Sequence, residues 1–241
     1  MRILVTNDDG IRAQGIGILV DFLKKRFPND EILVVAPSSE MSAVSQKLTL
    51  RKGLEVKKEN IFESVNAYSV SGTPTDCVKI ALVLLKYKPD IVFSGINKGY
   101  NSGNDILYSG TISACFEAGL ENILGIALSC SMHSFDGVSY LDNIFDYLEE
   151  NNYFPEAKII NINIPIEPKT IGITYQGVLP FVSSYEKKED GLYYLEGHPS
   201  LESGLKDKES DVYAINNHQV SISFLTPNRT DMKMYDKYKN K

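Results

Sequence analysis

The sequence contains few cysteines, and none of them is spaced for a metal or redox site. Only three occur in 241 residues, Cys77, Cys115 and Cys130, and no two of them form a CxxC pair. Each lies among apolar residues, which is typical of buried free thiols in a reducing compartment. We therefore expect no disulfide framework and a cytoplasmic protein.

Histidine is equally scarce, which limits the catalytic machinery that the chain can hold. The three histidines, His133, His198 and His218, are scattered along the sequence. Their positions give no support to a Ser-His-Asp or Cys-His arrangement, and for each we expect a surface or core role. The polar loops described below contain neither His nor Cys, which disfavours a zinc site of the usual kind.

Long apolar runs and blocks of basic residues are also absent. No apolar run approaches the roughly 18 residues that suggest a membrane-spanning helix, and the first residues do not resemble a signal peptide. The net charge is −6 at pH 7, although the last ten residues carry four lysines. We therefore expect a soluble protein that binds no membrane and no nucleic-acid duplex. A small anionic ligand remains compatible, because local dipoles and a metal outweigh net charge.

Up to about residue 165, predicted strands and helices alternate. Residues 2–6 and 31–36 are short apolar runs, and apolar residues recur at helical spacing between Ile16 and Phe27. This βαβ pattern predicts two parallel strands joined by a right-handed crossover. Strands predicted at 91–94, 125–130 and 158–164 continue the alternation. The sequence therefore predicts an α/β fold, a Rossmann-like and mostly parallel sheet with helices on both faces.

Beyond residue 168 the pattern changes. Predicted strands at 171–175, 193–196 and 220–224 are separated by turns, with few helices between them. We interpret residues 1–167 as a Rossmann-like core, which is the expected location of any catalytic site, and 168–241 as a C-terminal antiparallel extension, expected to be an arm that mediates contacts between subunits.

Three Gly- and Ser-rich loops, 7–10, 37–46 and 94–111, each follow a predicted buried strand. The carboxyl ends of parallel strands lie at one edge of a sheet, so Asp8, Asp9, the serines of 39–45 and Asn97 are expected near one point. Their carboxylate, amide and hydroxyl oxygens are hard ligands, suited to Mg²⁺, Mn²⁺ or Ca²⁺. Taken alone, Asp8-Asp9-Gly10 equally fits a solvated turn.

The third loop leads into a predicted helix that begins near Ser109-Gly110-Thr111. A helix start presents free N–H groups and the positive end of the helix dipole, and the two hydroxyls add donors, so this segment suits a phosphate. A plain N-cap explains Ser109 equally well. Lys98 adds positive charge nearby, unless it is simply a solvated loop lysine.

Two common nucleotide-binding motifs are missing. No GxxxxGK[ST] occurs, which excludes a P-loop. Gly15-Ile-Gly17 lacks a third glycine at the right place, and no acidic residue ends the second strand, so the dinucleotide fingerprint is weak.

Four motifs occur in an order and spacing that resemble the SurE family, the stationary-phase survival proteins. They are Thr-Asn-Asp-Asp-Gly at 6–10, Ser-Gly-Thr-Pro-Thr-Asp-Cys at 71–77, Ser-Gly-Ile-Asn-Lys-Gly at 94–99 and Ser-Gly-Thr at 109–111. The resemblance covers residues 1–165 strongly and the rest loosely. It implies a Rossmann-like fold whose C-terminal extension is used in dimers and tetramers. It also implies a metal-dependent phosphatase acting on nucleoside 5′- and 3′-monophosphates, in some members also on short polyphosphate.

The same resemblance implies which residues bind the metal. It assigns metal ligands to Asp8, Asp9 and Asn97, and to a serine that follows the Ala-Pro at the end of strand two. Ser42 aligns best with that serine, and Ser39 and Ser45 are the alternatives. The chain departs from the family pattern at Met41, where a basic residue is common.

Two further departures lie in the tail, at 176–181 and at 225–228. These departures bear on which nucleobase or substrate the protein prefers more than on the metal chemistry.

The sequence thus predicts a divalent-metal phosphomonoesterase acting on nucleoside 5′-monophosphates with one Mg²⁺ or Mn²⁺. We expect Asp8, Asn97 and Ser109 to be the catalytic residues and the phosphate to lie at Ser109, Gly110 and Thr111. Either water or Asp8 attacks phosphorus, and the missing DxDxT pattern favours water. The rival functions are a nucleotide-binding oxidoreductase or transferase on the same fold and a non-catalytic nucleotide-binding module. We expect a homodimer or homotetramer.

Overall fold

A computed structural model describes residues 1–239 of the chain. Strands and helices alternate as far as residue 164, except that three strands follow one another between residues 31 and 70. The strands are β1 Arg2–Thr6, β2 Glu31–Pro37, β3 Val56–Glu59, β4 Asn66–Val70, β5 Ile91–Lys98, β6 Leu124–Cys130, β7 Ile159–Ile164, β8 Thr170–Thr174, β9 Phe181–Lys187, β10 Tyr193–Pro199 and β11 Gln219–Leu225. The α-helices are α1 Gln14–Arg26, α2 Pro74–Lys79, α3 Gly110–Leu120, α4 Leu141–Glu150, α5 Leu201–Gly204, α6 Asp211–Asn216 and α7 Met232–Tyr238. A π-helical turn, Ile80–Leu84, extends α2, and 3₁₀ turns occupy Gly103–Leu107 and Asp136–Tyr140.

Nine strands form one sheet in the order β3-β4-β2-β1-β5-β6-β7-β11-β8. The six strands from β4 to β7 in this order run parallel, while β3 and β11 pair antiparallel with their inner neighbours. The predicted parallel pairing of the first two strands is confirmed, with Arg2 opposite Glu31 and Val5 opposite Val34. The α/β fold class is therefore confirmed.

Both faces of the sheet are covered, which explains why β1 is an unbroken apolar run. Ile3 and Val5 pack on one face with residues of α1 and α4, where Phe93 and Phe145 are the largest fully buried side chains. Leu4 points to the other face and packs with residues of α2 and α3. The central strands are thus fixed from two sides, and the loops at their carboxyl ends are held on a rigid base.

Strand β5 is longer than the prediction of 91–94, because a bulge carries it past Ser94. Its pairing with β6 shifts register between Ser94 and Asn97. Gly95 has φ +138, and a Cβ there would lie 2.3 Å from the Leu128 carbonyl oxygen, so only glycine fits. The bulge extends the strand to Lys98 and brings Asn97 to the sheet edge.

The tail is more closely joined to the core than its sequence pattern suggests. Strand β11 pairs antiparallel with β7 and parallel with β8, so both belong to the main sheet. Only β9 and β10 stand apart, as an exposed antiparallel hairpin. The predicted antiparallel extension is therefore this hairpin. The division at 167/168 stays a prediction, and the last two residues of its second part lie outside the described range.

The prediction that the cysteines are buried free thiols is confirmed. Cys77, Cys115 and Cys130 are all free and buried. Among the helices of residues 1–239, none combines the length and the apolar character needed to cross a membrane.

The N-terminus of α2 is hydrogen-bonded to residues 47–49, which follow the second loop. Thr73 and Asp76 form a capping box, as the motif Ser-Gly-Thr-Pro-Thr-Asp indicates. Asp76 also accepts hydrogen bonds from the Thr49 backbone N–H, at 3.0 Å, and from its hydroxyl, at 2.7 Å. The Thr73 hydroxyl donates to the Lys47 carbonyl oxygen at 2.6 Å. Residues 47–49 are therefore irregular and tied to this cap.

We expect Asp76→Ala to lower the free energy of unfolding by about 3 kcal/mol, because several buried donors lose a charged acceptor at once. Urea denaturation of the full chain measures the change. The matched control is Asp21→Ala on the exposed face of α1, which should change stability by no more than about 0.5 kcal/mol. Equal effects of the two substitutions would refute the role assigned to the cap.

Candidate active site

The three predicted loops meet in one cavity of about 300 Å³ at the carboxyl ends of β2, β1 and β5. Its lining includes Asp8, Asp9, Ser42, Asn97 and Ser109. The convergence that the sequence predicted is therefore present, because these three strands are neighbours in the sheet.

Asp8 joins the end of β1 to the beginning of α3. Its side chain is only 5% exposed. One carboxylate oxygen accepts the Thr111 backbone N–H at 3.1 Å, and the other accepts the Thr111 hydroxyl. A Cβ on Gly110 would lie 2.9 Å from the Asp8 Cβ, so a glycine is required for the helix to approach this closely.

The start of α3 differs in part from the phosphate site that the sequence predicted there. Ser109 is the N-cap, and its hydroxyl oxygen accepts the Ile112 N–H at 3.1 Å, so the plain capping role is present. Ser109 also lines the cavity, but Gly110 and Thr111 are not among the lining residues. Thr111 is fully buried, and its two donors bind Asp8. Thr111 thus has a different partner from the phosphate that we expected.

Burial changes the acidity of the paired aspartates. It raises the pKa of Asp8 to about 6, against the opposing effect of the Thr111 hydroxyl, and the Asp9 charge adds to the rise. Burial likewise raises the pKa of Asp9, although the Lys98 N–H lowers it by hydrogen bonding. Both ionised carboxylates are therefore destabilised in the absence of a compensating cation.

The loop after β2 has a defined place against the other two loops. The Met41 N–H donates to the Asp8 carbonyl oxygen at 2.7 Å. Ser42 lines the cavity, and its hydroxyl donates to Glu40 Oε1 at 2.7 Å. Ser45 instead donates its hydroxyl to the Leu107 carbonyl oxygen at 2.8 Å. Ser39 is exposed, and neither Ser39 nor Ser45 is among the cavity's lining residues.

The loop after β5 brings an amide and a lysine to the cavity. Asn97 donates its side-chain N–H to the Gly99 carbonyl oxygen at 2.7 Å, which fixes the orientation of the amide. The Lys98 backbone N–H lies 3.4 Å from Asp9 Oδ2, and the Lys98 ammonium lies 5.9 Å from the Phe135 ring centroid. Lys98 therefore contributes to the site through its main chain as well as its charge.

Sequence reasoning did not find the buried amides that support this loop. The Asn101 N–H donates to Asn163 Oδ1 at 2.8 Å, and the Asn101 side chain donates to the Ser129 hydroxyl at 2.8 Å. Asn161 and Asn163 both donate to the Asn101 carbonyl oxygen. The polar alternation Ile-Ile-Asn-Ile-Asn-Ile in β7 was the available signal, since a strand buried on both faces rarely needs amides.

Asp211, at the start of α6, also holds this loop from the tail. It is fully buried and accepts the N–H groups of Gly103, at 2.9 Å, and Gly177, at 2.8 Å. Burial raises its pKa in spite of these hydrogen bonds. No sequence pattern marked this contact, because it joins residues more than a hundred positions apart.

Five further polar lining residues were missed as candidates, although all of them lie within the predicted loops: Glu40, Tyr100, Asn101, Asp105 and Tyr108. Four carboxylates, Asp8, Asp9, Glu40 and Asp105, thus surround the cavity. Among its described lining residues, Lys98 is the only cation.

Within residues 1–239, no group of three or more His, Cys, Asp and Glu side chains is arranged to hold a metal ion. A cation at this cavity therefore needs hydroxyl and amide oxygens beside the two aspartates. The three histidines lie outside the cavity's lining.

Known proteins resemble the chain along its whole length. A protein named 5′-nucleotidase SurE from Alkaliphilus metalliredigens (strain QYMF) is 40% identical over 253 residues, which cover 100% of this chain and 98% of the relative. One of the same name from Thermosipho africanus (strain TCF52B) is 38% identical over 258 residues, covering 100% and 99%.

A solved structure and a family model agree with these relatives. The crystal structure of the SurE protein from Aquifex aeolicus matches with a TM-score of 0.79 and 29% identity, covering 100% of this chain and 99% of that one. The family model described as Survival protein SurE matches residues 3–182. The resemblance found in the four motifs is confirmed, and the chain belongs to the SurE family.

Proposed function

We propose that this protein is a 5′-nucleotidase, a phosphoric monoester hydrolase that converts nucleoside 5′-monophosphates into nucleoside and phosphate. Its full-length relatives bear that name. The observation that carries the proposal is a cavity in which Asp8 and Asp9 lie beside the N-terminus of helix α3. Paired carboxylates suit a divalent cation, and a helix N-terminus suits a phosphate, so the two together suit metal-assisted phosphate ester hydrolysis.

One Mg²⁺ or Mn²⁺ fits the donors of this cavity. Asp8, Asp9, Ser42 and Asn97 would hold it, since carboxylate, hydroxyl and amide oxygens are its preferred ligands. The amide N–H of Asn97 is already bound to Gly99, which leaves its side-chain oxygen for a cation. The destabilised carboxylates of Asp8 and Asp9 fit the same role. When bound, such a cation polarises a phosphate oxygen, neutralises developing charge and makes water more acidic.

The start of α3 supplies the donors for the remaining phosphate oxygens. The Ser109 hydroxyl oxygen accepts the Ile112 N–H, so its own O–H is free to donate. The Gly110 N–H belongs to the first helical turn, whose donors have no intrahelical acceptor. Thr111 acts indirectly, because its hydroxyl and N–H donate to the Asp8 carboxylate and orient it.

Water is the proposed nucleophile, with Asp8 receiving its proton. Both Asp8 oxygens accept hydrogen bonds from Thr111, which makes the carboxylate a poorer nucleophile toward phosphorus. The new bond joins the water oxygen to phosphorus, and the bond from phosphorus to the ribose 5′ oxygen breaks. The 5′ oxygen takes up a proton from solvent and leaves as the nucleoside hydroxyl. Asn97 and Ser109 complete the catalytic set.

The family resemblance adds further candidate substrates and an oligomeric state to the proposal. Nucleoside 3′-monophosphates and short polyphosphate are further substrates to test.

The exposed hairpin of β9 and β10 carries Phe181, Tyr185 and Tyr193 on its surface, which suits contacts between subunits in a homodimer or homotetramer. The buried free thiols fit a cytoplasmic location.

Purified protein incubated with AMP or GMP and Mg²⁺ or Mn²⁺ should release phosphate, and EDTA should abolish the release. We expect Asp9→Asn to lower kcat/KM by at least about 100-fold while the protein stays folded by circular dichroism. Asp21→Asn, a matched change on the surface of α1, should leave activity intact. Absence of phosphate release by the wild type with every metal would reject the proposed enzyme and leave a binding module.

Ser42→Ala should raise the Mg²⁺ or Mn²⁺ concentration needed for half-maximal activity by about tenfold, because one hard oxygen donor is lost. Ser39→Ala is the matched control, since Ser39 is exposed and outside the cavity's lining, and its metal activation curve should match the wild type. A larger shift for Ser39→Ala than for Ser42→Ala would overturn the assignment of the serine ligand.

In metal-free protein, the stability contributed by Asp8 should fall with rising pH. Its pKa is about 6 in the folded state against an ordinary 3.8, so the folded protein binds the proton more tightly than the unfolded chain. The contribution is present below about pH 4 and is lost as pH rises through about 6.

Urea denaturation in EDTA at steps from pH 4 to 8 measures this loss, which Asp8→Asn should reduce. Saturating Mg²⁺ should oppose it, because the cation binds the ionised carboxylates. An unchanged pH profile in Asp8→Asn would contradict the prediction.

A further inference from the structure

The segment between Asn97 and Ser109 connects two residues that line the candidate active site. It leaves the sheet after Lys98, whose partner in β6 is Cys130. The chain is still buried at Asn101, which is only 6% exposed. Buried backbone N–H and C=O groups need hydrogen-bond partners, and outside a helix or sheet those partners are side chains or water. The partners of Asn101 therefore decide where this segment lies.

The side chain of Asn163, on β7, pairs with both backbone groups of Asn101. Its Oδ1 accepts the Asn101 N–H at 2.8 Å, and its Nδ2 donates to the Asn101 carbonyl oxygen at 3.0 Å. A neighbouring strand would offer the same donor and acceptor, so the primary amide of Asn163 takes the place of a strand. Asn161 adds a second donor to the same carbonyl oxygen at 2.9 Å.

The two asparagines belong to a buried polar stripe that continues into β11. Asn163 lies opposite Ser221, and Asn161 lies opposite Ser223. The two halves of the stripe have different partners, because both serine hydroxyls lie 2.8 Å from the Thr174 hydroxyl, whereas both asparagines bind the loop. A buried amide must recover the hydrogen bonds that it loses with water, so an apolar residue would serve the sheet at lower cost. The asparagines therefore serve the loop rather than the sheet.

We propose that Asn163 is a positioning residue for the reaction and acts on the substrate only through the loop that it holds. The inference rests on the proposed function, in which Asn97 and Ser109, at the two ends of this loop, belong to the catalytic set. Asn163 itself is not among the residues that line the cavity. A displacement of reacting groups by about 1 Å can lower a rate about 100-fold, so a residue outside the cavity can control kcat.

The test is Asn163→Asp, assayed with saturating Mg²⁺ or Mn²⁺ in protein that circular dichroism shows to be folded. The ionised carboxylate keeps the acceptor for the Asn101 N–H but places a second acceptor against the Asn101 carbonyl oxygen. We expect kcat and kcat/KM for AMP to fall equally, by about 100-fold, because the displaced groups act in the transition state. Activity on p-nitrophenyl phosphate should fall by the same factor, since the loss occurs at the phosphate.

Ser223→Ala is the matched control. It also removes a fixed polar group from the buried stripe, but the partner of Ser223 is Thr174 and not the loop. It should lower the urea midpoint of unfolding and leave kcat and KM at the wild-type values. An unchanged kcat in Asn163→Asp would overturn the inference. A loss of kcat in Ser223→Ala as large as that in Asn163→Asp would also overturn it, because the effect would then be one of stability alone.

Amide hydrogen exchange in the wild-type protein tests the pairing without a variant and without catalysis. The Asn101 N–H should exchange as slowly as the amides of β5, because its acceptor is a fully buried side chain. The comparison is the Gly191 N–H in the exposed turn between β9 and β10, which should exchange fast.

Exchange of the Asn101 N–H at the rate of the Gly191 N–H would refute the role of Asn163. Failure of the proposed function is distinguishable, since the wild-type protein would then release no phosphate with any metal while the Asn101 N–H stayed protected.

Discussion

The buried carboxylate of Asp8 is the constraint on which the site depends. A buried carboxylate is costly unless donors and a cation compensate it, and here Thr111 supplies two donors from the start of α3. That pairing fixes the helix against the end of β1, and it requires Gly110 at the point of approach. The Asp8 carbonyl oxygen in turn binds the loop after β2 through the Met41 N–H. One residue thus sets the relative positions of the helix and both strand ends.

The tail of the chain also helps to position the site, because it binds the loop after β5. Asp211 binds the Gly103 N–H, and the Gln176 side chain donates to the Gly103 carbonyl oxygen at 2.9 Å. The Leu179 N–H donates to Asn104 Oδ1 at 3.1 Å, and Leu179 also lines a cavity of about 540 Å³ that adjoins the candidate active site. The segment 176–181, where the chain departs from the SurE pattern, therefore lies against the loop that carries Asp105. This segment is held by elements other than those that hold Asp8 and Asp9.

Much of the fold was predictable because local signals and the global fold agree. Apolar runs without alternation marked the strands that are buried on both faces, and Thr73-Pro74 with Asp76 marked the start of α2. The prediction that β5 ends at residue 94 was wrong, because the bulge at Gly95 depends on the close approach of Leu128 in the neighbouring strand. Strands β8 and β11 likewise joined the main sheet through pairings that their own sequences do not specify.

The sequence alone determined the α/β order, and its motifs indicated the family, whose pattern singled out Ser42 among the serines of 39–45. By position along the strands, the sequence also placed Asp8, Asp9, those serines and Asn97 near one point. It could do so because each of them follows a strand, and parallel strands share one carboxyl edge. Only the tertiary structure decided that Thr111 binds Asp8, that Asp211 holds the loop at Gly103, and that Asp105 lies between two cavities. Those contacts join residues far apart in the chain, and their geometry depends on how the helices and the tail pack on the sheet. No local pattern of residues specifies that packing.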